Sequence, residues 1–512
     1  MKILTAAEMR EVDRLTIERG IPGLILMENA GSRVVDFLRD TFAPLNRQHV
    51  LVVCGKGNNG GDGFVIARQL FTRKLCKQLT VVEIFDPATL RGDAQANRRM
   101  LDVSGCPVYR EFPNELSPVD VVVDAILGTG LSGPAKGPAL DAIRFLNQRF
   151  PSAKKVAVDI PSGMPSDDMQ NAGEIVRAVY TVTFTAAKRT QCLSPGHEKV
   201  GHLTVVPIGT PDEICQTNFQ FKLNLATRDE FRFLFAKRPS DSNKGMYGHV
   251  LVVGGSFGKS GAPAMAGLGA YRSGAGLVTI GVPKSVLTAV AVVRPELMTE
   301  PLDETETGRL PFSEASHVLD LAKKMTVLAI GPGLGTEDGT VRLVKNVYEE
   351  AQIPAVVDAD GLNALAGDLP HTDKIRILTP HPGEMGRLTG KSTKEIQSDR
   401  LGAAQRLASE SGATIVLKGD RTIIAFPDGE TWVNPTGSPS MATGGTGDIL
   451  TGMIAGLVAQ HPKDWKRATA AAVWLHGRCG ELGGDHWGEE AMLATDLLDF
   501  LPEAMDELRP AI

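Results

Sequence analysis

The chain has 512 residues, 42% of them hydrophobic and 22% charged, and carries a formal net charge of −6. That length exceeds one ordinary domain, and the balance excludes a disordered chain and a basic surface for nucleic acid. The six cysteines (Cys54, Cys76, Cys106, Cys192, Cys215 and Cys479) hold no C-x-x-C pair, the first residues have no signal-type apolar core, and no run reaches the ~18 apolar residues of a membrane span. A cytoplasmic location with no membrane partner is the expectation.

In chain order, short β-branched runs predict strands at 49–54, 79–85, 119–124, 155–159 and 180–185, with segments of helical length between them. Continuous apolar strands alternating with helices predict a parallel sheet covered on both faces. Residues 211–245 break the alternation with charges, Asn and Phe, so a domain boundary is placed at 217/218. The alternation restarts at 249–253 and continues through 276–281, 325–330, 355–358, 375–379 and 414–418. Two α/β domains in series, 1–217 and 218–512, are the expected architecture. Ligands of such sheets bind beyond the carboxyl ends of the strands, so the loops there hold the candidate sites.

In the first half, Gly55-Lys56-Gly57-Asn58-Asn59-Gly60 fits G-x-G-x-x-G after a strand, with Glu83 at a ribose-binding distance. This is the nicotinamide-cofactor fingerprint in outline. The continuation Gly61-Asp62-Gly63 argues against a dehydrogenase, because it puts a carboxylate where pyrophosphate would approach a helix N-terminus. The loop reads as side-chain amides, flexible backbone and one acid. Asp124 precedes Gly128-Thr129-Gly130-Leu131-Ser132-Gly133-Pro134, and Asp159 precedes Pro161-Ser162-Gly163. Singly, such acids are helix caps. Three strand-end loops together suit one ligand and one hard cation, and oxygen donors from Asn59, Asp124 and Ser162 fit a monovalent ion, Ca²⁺ or Mg²⁺ better than zinc.

With LMENAG at 26–31 and VDIPSG at 158–163, these motifs resemble the NAD(P)H-hydrate epimerase family over about residues 1–215. The resemblance implies a Rossmann-like three-layer sandwich that interconverts the R and S forms of NAD(P)HX, the hydrated form of NAD(P)H. It implies that Asn58, Asn59, Gly60, Gly61, Asp62 and the stretch from Gly128 to Pro134 hold the hydrate. It further implies that Asn59, Asp124 and Ser162 bind K⁺ and that Asp159 contacts the damaged ring. A strand-end carboxylate is well placed for acid–base work, with Asp62 as the rival candidate.

In the second half, Gly254-Gly255-Ser256-Phe257-Gly258-Lys259-Ser260 looks like a P-loop but fails its spacing, since Val253 occupies the first glycine position. A strand-end ligand loop is still expected there, because Ala262 and its small neighbours allow close approach. The stronger feature is Met441-Ala442-Thr443-Gly444-Gly445-Thr446-Gly447-Asp448. The apolar run 449–458 is helix-compatible despite two glycines, so the glycine run lies at a helix start. Free N–H groups and the helix dipole favour a phosphate there. Asp448, in the first turn, can accept the proton of an attacking hydroxyl. This motif resembles the ribokinase-like superfamily.

The loops Gly331-Pro332-Gly333-Leu334-Gly335, Asp358-Ala359-Asp360-Gly361-Leu362, Thr379-Pro380-His381-Pro382-Gly383-Glu384-Met385 and Lys418-Gly419 occur in that order. Together they make residues 225–505 resemble the ADP-dependent NAD(P)H-hydrate dehydratase family, a ribokinase-like α/β domain. The resemblance implies that Ala262, Gly333, His381, Pro382, Gly383, Glu384, Met385, Gly386 and Arg387 contact the hydrate, with Asp448 at its ring hydroxyl. It implies that Lys418, Gly419, Asp420, Arg421 and Thr422 cradle ADP together with Ser438, Pro439, Ser440, Met441, Ala442, Thr443, Gly444, Gly445, Thr446 and Gly447. The family reads G-N-P-G-M-A where this chain reads Gly437-Ser438-Pro439-Ser440-Met441-Ala442, and Ser440 is expected to stiffen that turn. Phosphorylating the hydroxyl turns hydroxide into a phosphate leaving group; ADP is the co-substrate, ending as AMP, and Mg²⁺ bridges the phosphates. An epimerase on the same chain would feed the R form to a stereospecific dehydratase. Two rival readings are a sugar or vitamin kinase fused to a Rossmann-like nucleotide-binding module, and a non-enzymatic nucleotide-sensing amino-terminal half. A homo-oligomer without a nucleic-acid partner is expected.

Overall fold

The computed structural model describes residues 1–116 and 118–509. The chain divides into two compact units, Met1–Leu223 and Asn224–Ile512. The division falls a few residues past 217/218, where the chain enters the second unit's sheet as the edge strand Leu223–Leu225.

The first unit is built on six parallel strands, ordered Gln78–Glu83, His49–Cys54, Val121–Ala125, Lys154–Val158, Tyr180–Phe184 and His202–Val206. Side chains alternate between faces along each strand. Val50, Val52 and Cys54 pack with Leu26, Val34, Phe64 and Ile66 of the helices Gly23–Thr41 and Asn58–Thr72. Leu51 and Val53 pack on the other face with Ile143 and Leu146 of the helix Gly137–Arg149. The strand order reverses between His49–Cys54 and Val121–Ala125, so the ligand crevice opens at their carboxyl ends. Residues 58–63 are not a flexible loop but the first turns of the helix Asn58–Thr72. A Cβ on Gly60 would lie 1.7 Å from the Gly55 carbonyl oxygen, so glycine is required for close approach rather than for mobility.

The second unit has a ten-stranded sheet. Seven parallel strands run in the order Met298–Leu302, Leu277–Pro283, His249–Val253, Val327–Ile330, Ala355–Val357, Arg376–Leu378 and Thr414–Leu417. Ile423–Ala425 and Thr431–Val433 then add antiparallel, and Leu223–Leu225 closes the edge. The order reverses between His249–Val253 and Val327–Ile330. The loops after these two strands are joined there: Gly255 N donates to the Pro332 carbonyl at 2.8 Å, and Ser256 Oγ to the Gly333 carbonyl at 2.6 Å.

The helices Gly261–Arg272 and Thr446–Gln460 pack against each other over Val250, Val252 and Ala329 of this sheet. Their contact is backbone to backbone. A Cβ on Gly452 would lie 1.9 Å from the Ala266 carbonyl oxygen, and one on Gly456 would lie 2.6 Å from that of Ala270. These are the two glycines of the run 449–458, which is helical as its apolar pattern predicts. Among the described residues, no helix is long and apolar enough to cross a membrane.

Alanine favours a helix over glycine by about 1 kcal/mol, but forcing a methyl into packed backbone costs about 1–3 kcal/mol or more. The 1.9 Å approach puts the cost toward the upper end of that range, so Gly452→Ala is expected to lower the thermal midpoint of the carboxy-terminal unit, with a net loss of about 1–2 kcal/mol in denaturant titration. A stabilised variant would contradict this packing.

Candidate active sites

In the first unit, the strand ends bring Asn59, Asp124 and Ser162 into one network. Asp124 is fully buried, and Ser162 donates to it twice, from N at 2.8 Å and from Oγ at 2.5 Å. Asn59 Nδ2 donates to the Leu127 carbonyl at 2.9 Å, while Asn59 Oδ1 is buried with no hydrogen-bond partner among the described residues. Burial pushes Asp124 up to about 6 against the hydrogen bonds from Ser162. The Leu127 carbonyl joins Asn59 to the Ser162 hydroxyl, which donates to Asp124, and the orphaned amide oxygen, carboxylate and hydroxyl make an all-oxygen donor set, which fits a hard cation. Gly128 lies against Asn59, since a Cβ there would be 3.3 Å from the Asn59 Cβ. The loop onward through Thr129, Gly130, Leu131, Ser132, Gly133 and Pro134 is half-buried to exposed and closes the same end of the sheet.

Asp159 stands just past the strand Lys154–Val158 with φ 65°, a left-handed conformation uncommon for a non-glycine residue. Its Oδ1 accepts from Lys188 Nζ at 2.5 Å and from Thr183 Oγ1 at 2.9 Å. Gln191 Nε2 donates to its carbonyl at 2.7 Å. Asp62 is buried and pushed well above the ordinary carboxylate range by burial, then by Asp159 and Asp13, with Lys188 opposing. Asp13, from the helix Ala6–Glu18, is itself pushed up to about 6 by burial, with Lys188 opposing and Asp159 adding. Three carboxylates thus share the field of one buried ammonium. Sequence reading missed Lys188 and Asp13, because neither lies in a recognisable motif. Glu83, which stands at a ribose-binding distance from the glycine-rich turn in sequence, is buried against Arg98 Nε at 2.6 Å.

In the second unit, Ala262 and Gly333 meet at the switch point, where a Cβ on Gly333 would be 3.3 Å from that of Ala262. His381 is the N-cap of the helix Pro382–Thr389: its Nδ1 accepts from Gly383 N at 3.0 Å, and Glu384 Oε2 accepts from His381 N at 2.8 Å. Met385 and Gly386 are buried in that helix, and Arg387 Nε donates to Asn363 Oδ1 at 2.8 Å. After the strand Thr414–Leu417, Lys418 turns its ammonium inward to Asp358 Oδ1 at 2.8 Å, with Glu384 Oε2 at 3.9 Å. Gly419, Asp420, Arg421 and Thr422 form the turn beyond it, where Thr422 Oγ1 donates to the Gly419 carbonyl at 2.9 Å.

The glycine run behaves as its composition requires. Gly445 takes φ 99° as N-cap, and the helix Thr446–Gln460 begins with no side chain capping it. Among the described residues nothing caps the amides of Thr446, Gly447 and Asp448, which leaves them open to an anion. Thr446 Oγ1 donates back to the carbonyls of Met441 and Thr443, at 3.2 and 3.1 Å, and holds the loop of Ala442, Thr443 and Gly444 closed. His476, kept neutral by burial that drives it down to about 4, meets the Thr446 carbonyl through Nε2 at 2.8 Å. Ser438 caps the short turn Pro439–Met441, and Ser440 Oγ donates to the Gly480 carbonyl at 3.1 Å. The departure at Ser440 thus ties the turn to the helix Trp465–Trp487. Asp448 is half-buried in the first turn and pushed up to about 7, by burial first and Asp358 second, with Lys418 opposing.

Residues 23–190 match the family model described as YjeF-related protein N-terminus, and residues 250–503 match that of NAD(P)H-hydrate dehydratase. The chain is 42% identical to the bifunctional NAD(P)H-hydrate repair enzyme Nnr of Moorella thermoacetica, over 100% of this chain and 98% of that one. It is 32% identical to the enzyme of the same name from Escherichia coli K12, over 94% and 90%. The ADP/ATP-dependent NAD(P)H-hydrate dehydratase of Bacillus subtilis, co-crystallised with ATP and Mg²⁺, is similar in structure with a TM-score of 0.50 and 39% identity, over 56% of this chain and 99% of that one. Full-length relatives that carry both halves under one repair-enzyme name favour neither the fused kinase nor the non-enzymatic module.

Asp448 also sets a pH dependence of stability. Its folded value of about 7 lies above the ordinary 3.8, so the folded chain binds the extra proton between these limits. Stability therefore falls as pH rises through that window, and the charged form burdens the folded state above it. Asp448→Asn is expected to stabilise the carboxy-terminal unit by about 1–2 kcal/mol near pH 8 and by much less near pH 5, after allowance for solvent screening. Thermal melts at the two pH values check this.

Proposed function

Because the chain belongs to the bifunctional NAD(P)H-hydrate repair enzymes, we propose a division of labour between its two sites. The amino-terminal unit is the epimerase, and the carboxy-terminal, ribokinase-like unit is the dehydratase. The substrates are the hydrates of NADH and NADPH, with ADP as co-substrate.

In the dehydratase, the reading rests on one observation: a carboxyl group poised near neutrality in the first turn of an uncapped helix. Asp448 takes the proton of the ring hydroxyl as its oxygen attacks the β-phosphorus of ADP and AMP leaves. The amides of Thr446 and Gly447 and the Lys418 ammonium receive the phosphoryl charge. The ring nitrogen's lone pair then expels phosphate, and a proton leaves the neighbouring ring carbon to restore the dihydronicotinamide. Mg²⁺ enters with the nucleotide phosphates and neutralises their charge. Ala262, Gly333 and the helix Pro382–Thr389 line the hydrate's side of the site.

In the epimerase, Asn59 Oδ1, Asp124 and Ser162 would hold K⁺, which supplies a fixed positive charge beside the substrate. The first turns of the helix Asn58–Thr72 and the loop from Gly128 to Pro134 enclose the hydrate. Asp159, with the Lys188 ammonium on its Oδ1, moves the proton that inversion at the hydroxylated carbon requires.

Mixed epimers with ADP should recover dihydronicotinamide absorbance completely. Asp448→Asn should slow dehydration of the S form about 10³-fold and leave epimerisation intact, and Asp159→Asn should do the reverse. Accumulation of a stable phosphorylated product would instead favour a kinase. Dehydration should weaken below about pH 7, as Asp448 takes up a proton. Epimerisation should rise with K⁺ in the native chain, and Asn59→Ala should lose that response.

A further inference from the structure

Asp358 follows the strand Ala355–Val357 and is 1% exposed. Both of its oxygens are engaged: Oδ1 accepts from Lys418 Nζ at 2.8 Å, and Oδ2 from Thr451 Oγ1 at 2.8 Å. Thr451 lies three residues beyond Asp448 on the same face of the helix Thr446–Gln460. A Cβ on Gly447 would stand 3.2 Å from Lys418 Nζ and 3.6 Å from Asp358 Oδ2. The ion pair is therefore held against the first turn with no side chain between.

The backbone is bent to deliver this carboxylate. Ala359 takes φ 50° and ψ −120°, a region that L side chains rarely enter. The Asp358 carbonyl accepts from Gly361 N at 2.9 Å and packs so tightly on Gly331 that a Cβ there would lie 1.9 Å from it. Strain of this kind persists only where the surroundings over-determine it, and it clusters at functional sites. The consequence is electrostatic. A lysine without Asp358 would be free to swing onto Asp448 or Glu384 and pair with it, which would quench a base.

We propose that Asp358 is a positioning residue of the dehydratase: it locks the Lys418 ammonium beside the first turn of the helix and keeps that lysine from neutralising Asp448. The role rests on Asp448 being the proton acceptor. The charged groups around Asp448 are Asp358, Lys418, Glu384 in the helix Pro382–Thr389, and Asp360 at the start of the helix Asp360–Leu365, itself paired with Lys259 at 3.2 Å. His476 faces the same turn as a neutral ring. Removing the Asp358 charge lowers the proton affinity of Asp448 and frees Lys418 to lower it further; removing Lys418 raises it.

The test is kcat for the S epimer against pH at saturating ADP, in the full chain. Asp358→Asn should cut kcat at least tenfold and move its acid limb down by about one pH unit, whereas Lys418→Met should move the limb up. Thr451→Val keeps every charge and loosens one anchor, so it should lower kcat with the limb in place. Loss of the Asp358 charge alone moves the limb down but leaves the plateau kcat intact, so an unchanged plateau kcat in Asp358→Asn, or an upward shift of the limb, overturns the inference. If Asp358→Asn fails to fold, Thr451→Val decides: an unchanged kcat overturns the inference, and a lowered kcat with ADP affinity retained supports it. A fully active Asp448→Asn would sink the assignment of the base itself; an inactive Asp448→Asn with an unchanged plateau kcat in Asp358→Asn would sink only the role of Asp358.

Discussion

The second unit depends on how closely two helix backbones approach. Gly452 and Gly456 let the helix Thr446–Gln460 lie directly on the backbone of Gly261–Arg272. That contact sets the depth at which the first turn, with Asp448 in it, meets the carboxyl ends of the parallel strands. A side chain at either glycine would lift the helix and withdraw the free amides from the strand-end loops. The first unit uses the same device on a smaller scale, where Gly60 seats the helix Asn58–Thr72 on Gly55 beside the crevice.

Both sites hold charge where water has been removed. Asp62 and Asp124 in one, and Asp448 and Glu384 in the other, are all raised by burial first. Each has a counterweight nearby: Lys188 beside Asp159, Lys418 beside Asp358. Lys418 is half-buried, and the loss of solvent disfavours its charge, yet Asp358 and Glu384 outweigh that and keep it protonated. Such clusters destabilise the fold and tune proton affinity, as expected where function rather than stability fixes a side chain. The left-handed Asp159 and the strained Ala359 sit at the strand ends for the same reason.

Much of this was legible in the sequence. The buried parallel strands are continuous β-branched runs, and their loops carried the motifs. The edge strands His202–Val206, Met298–Leu302 and Leu223–Leu225 were not visible, because they are only partly buried and so lack a continuous apolar signal. Ile423–Ala425 and Thr431–Val433 are buried but only three residues long. The glycines of NNGGDG were visible as residues but not as contacts, since close approach is a tertiary property. The positioning residues were hidden for a similar reason. Lys418 and Thr451 reach Asp358 across 60 and 93 residues of sequence, and no local spacing announces such a pairing.

The central claim is that the fold delivers a carboxyl group to the phosphate-facing turn and holds it near neutrality. A carbon-detected NMR titration of the full chain with labelled aspartate, assigned by loss of one signal in Asp448→Asn, measures this directly. The account predicts a midpoint at about 7 for Asp448 in the nucleotide-free protein. A midpoint near the ordinary aspartate value of 3.8 would contradict it.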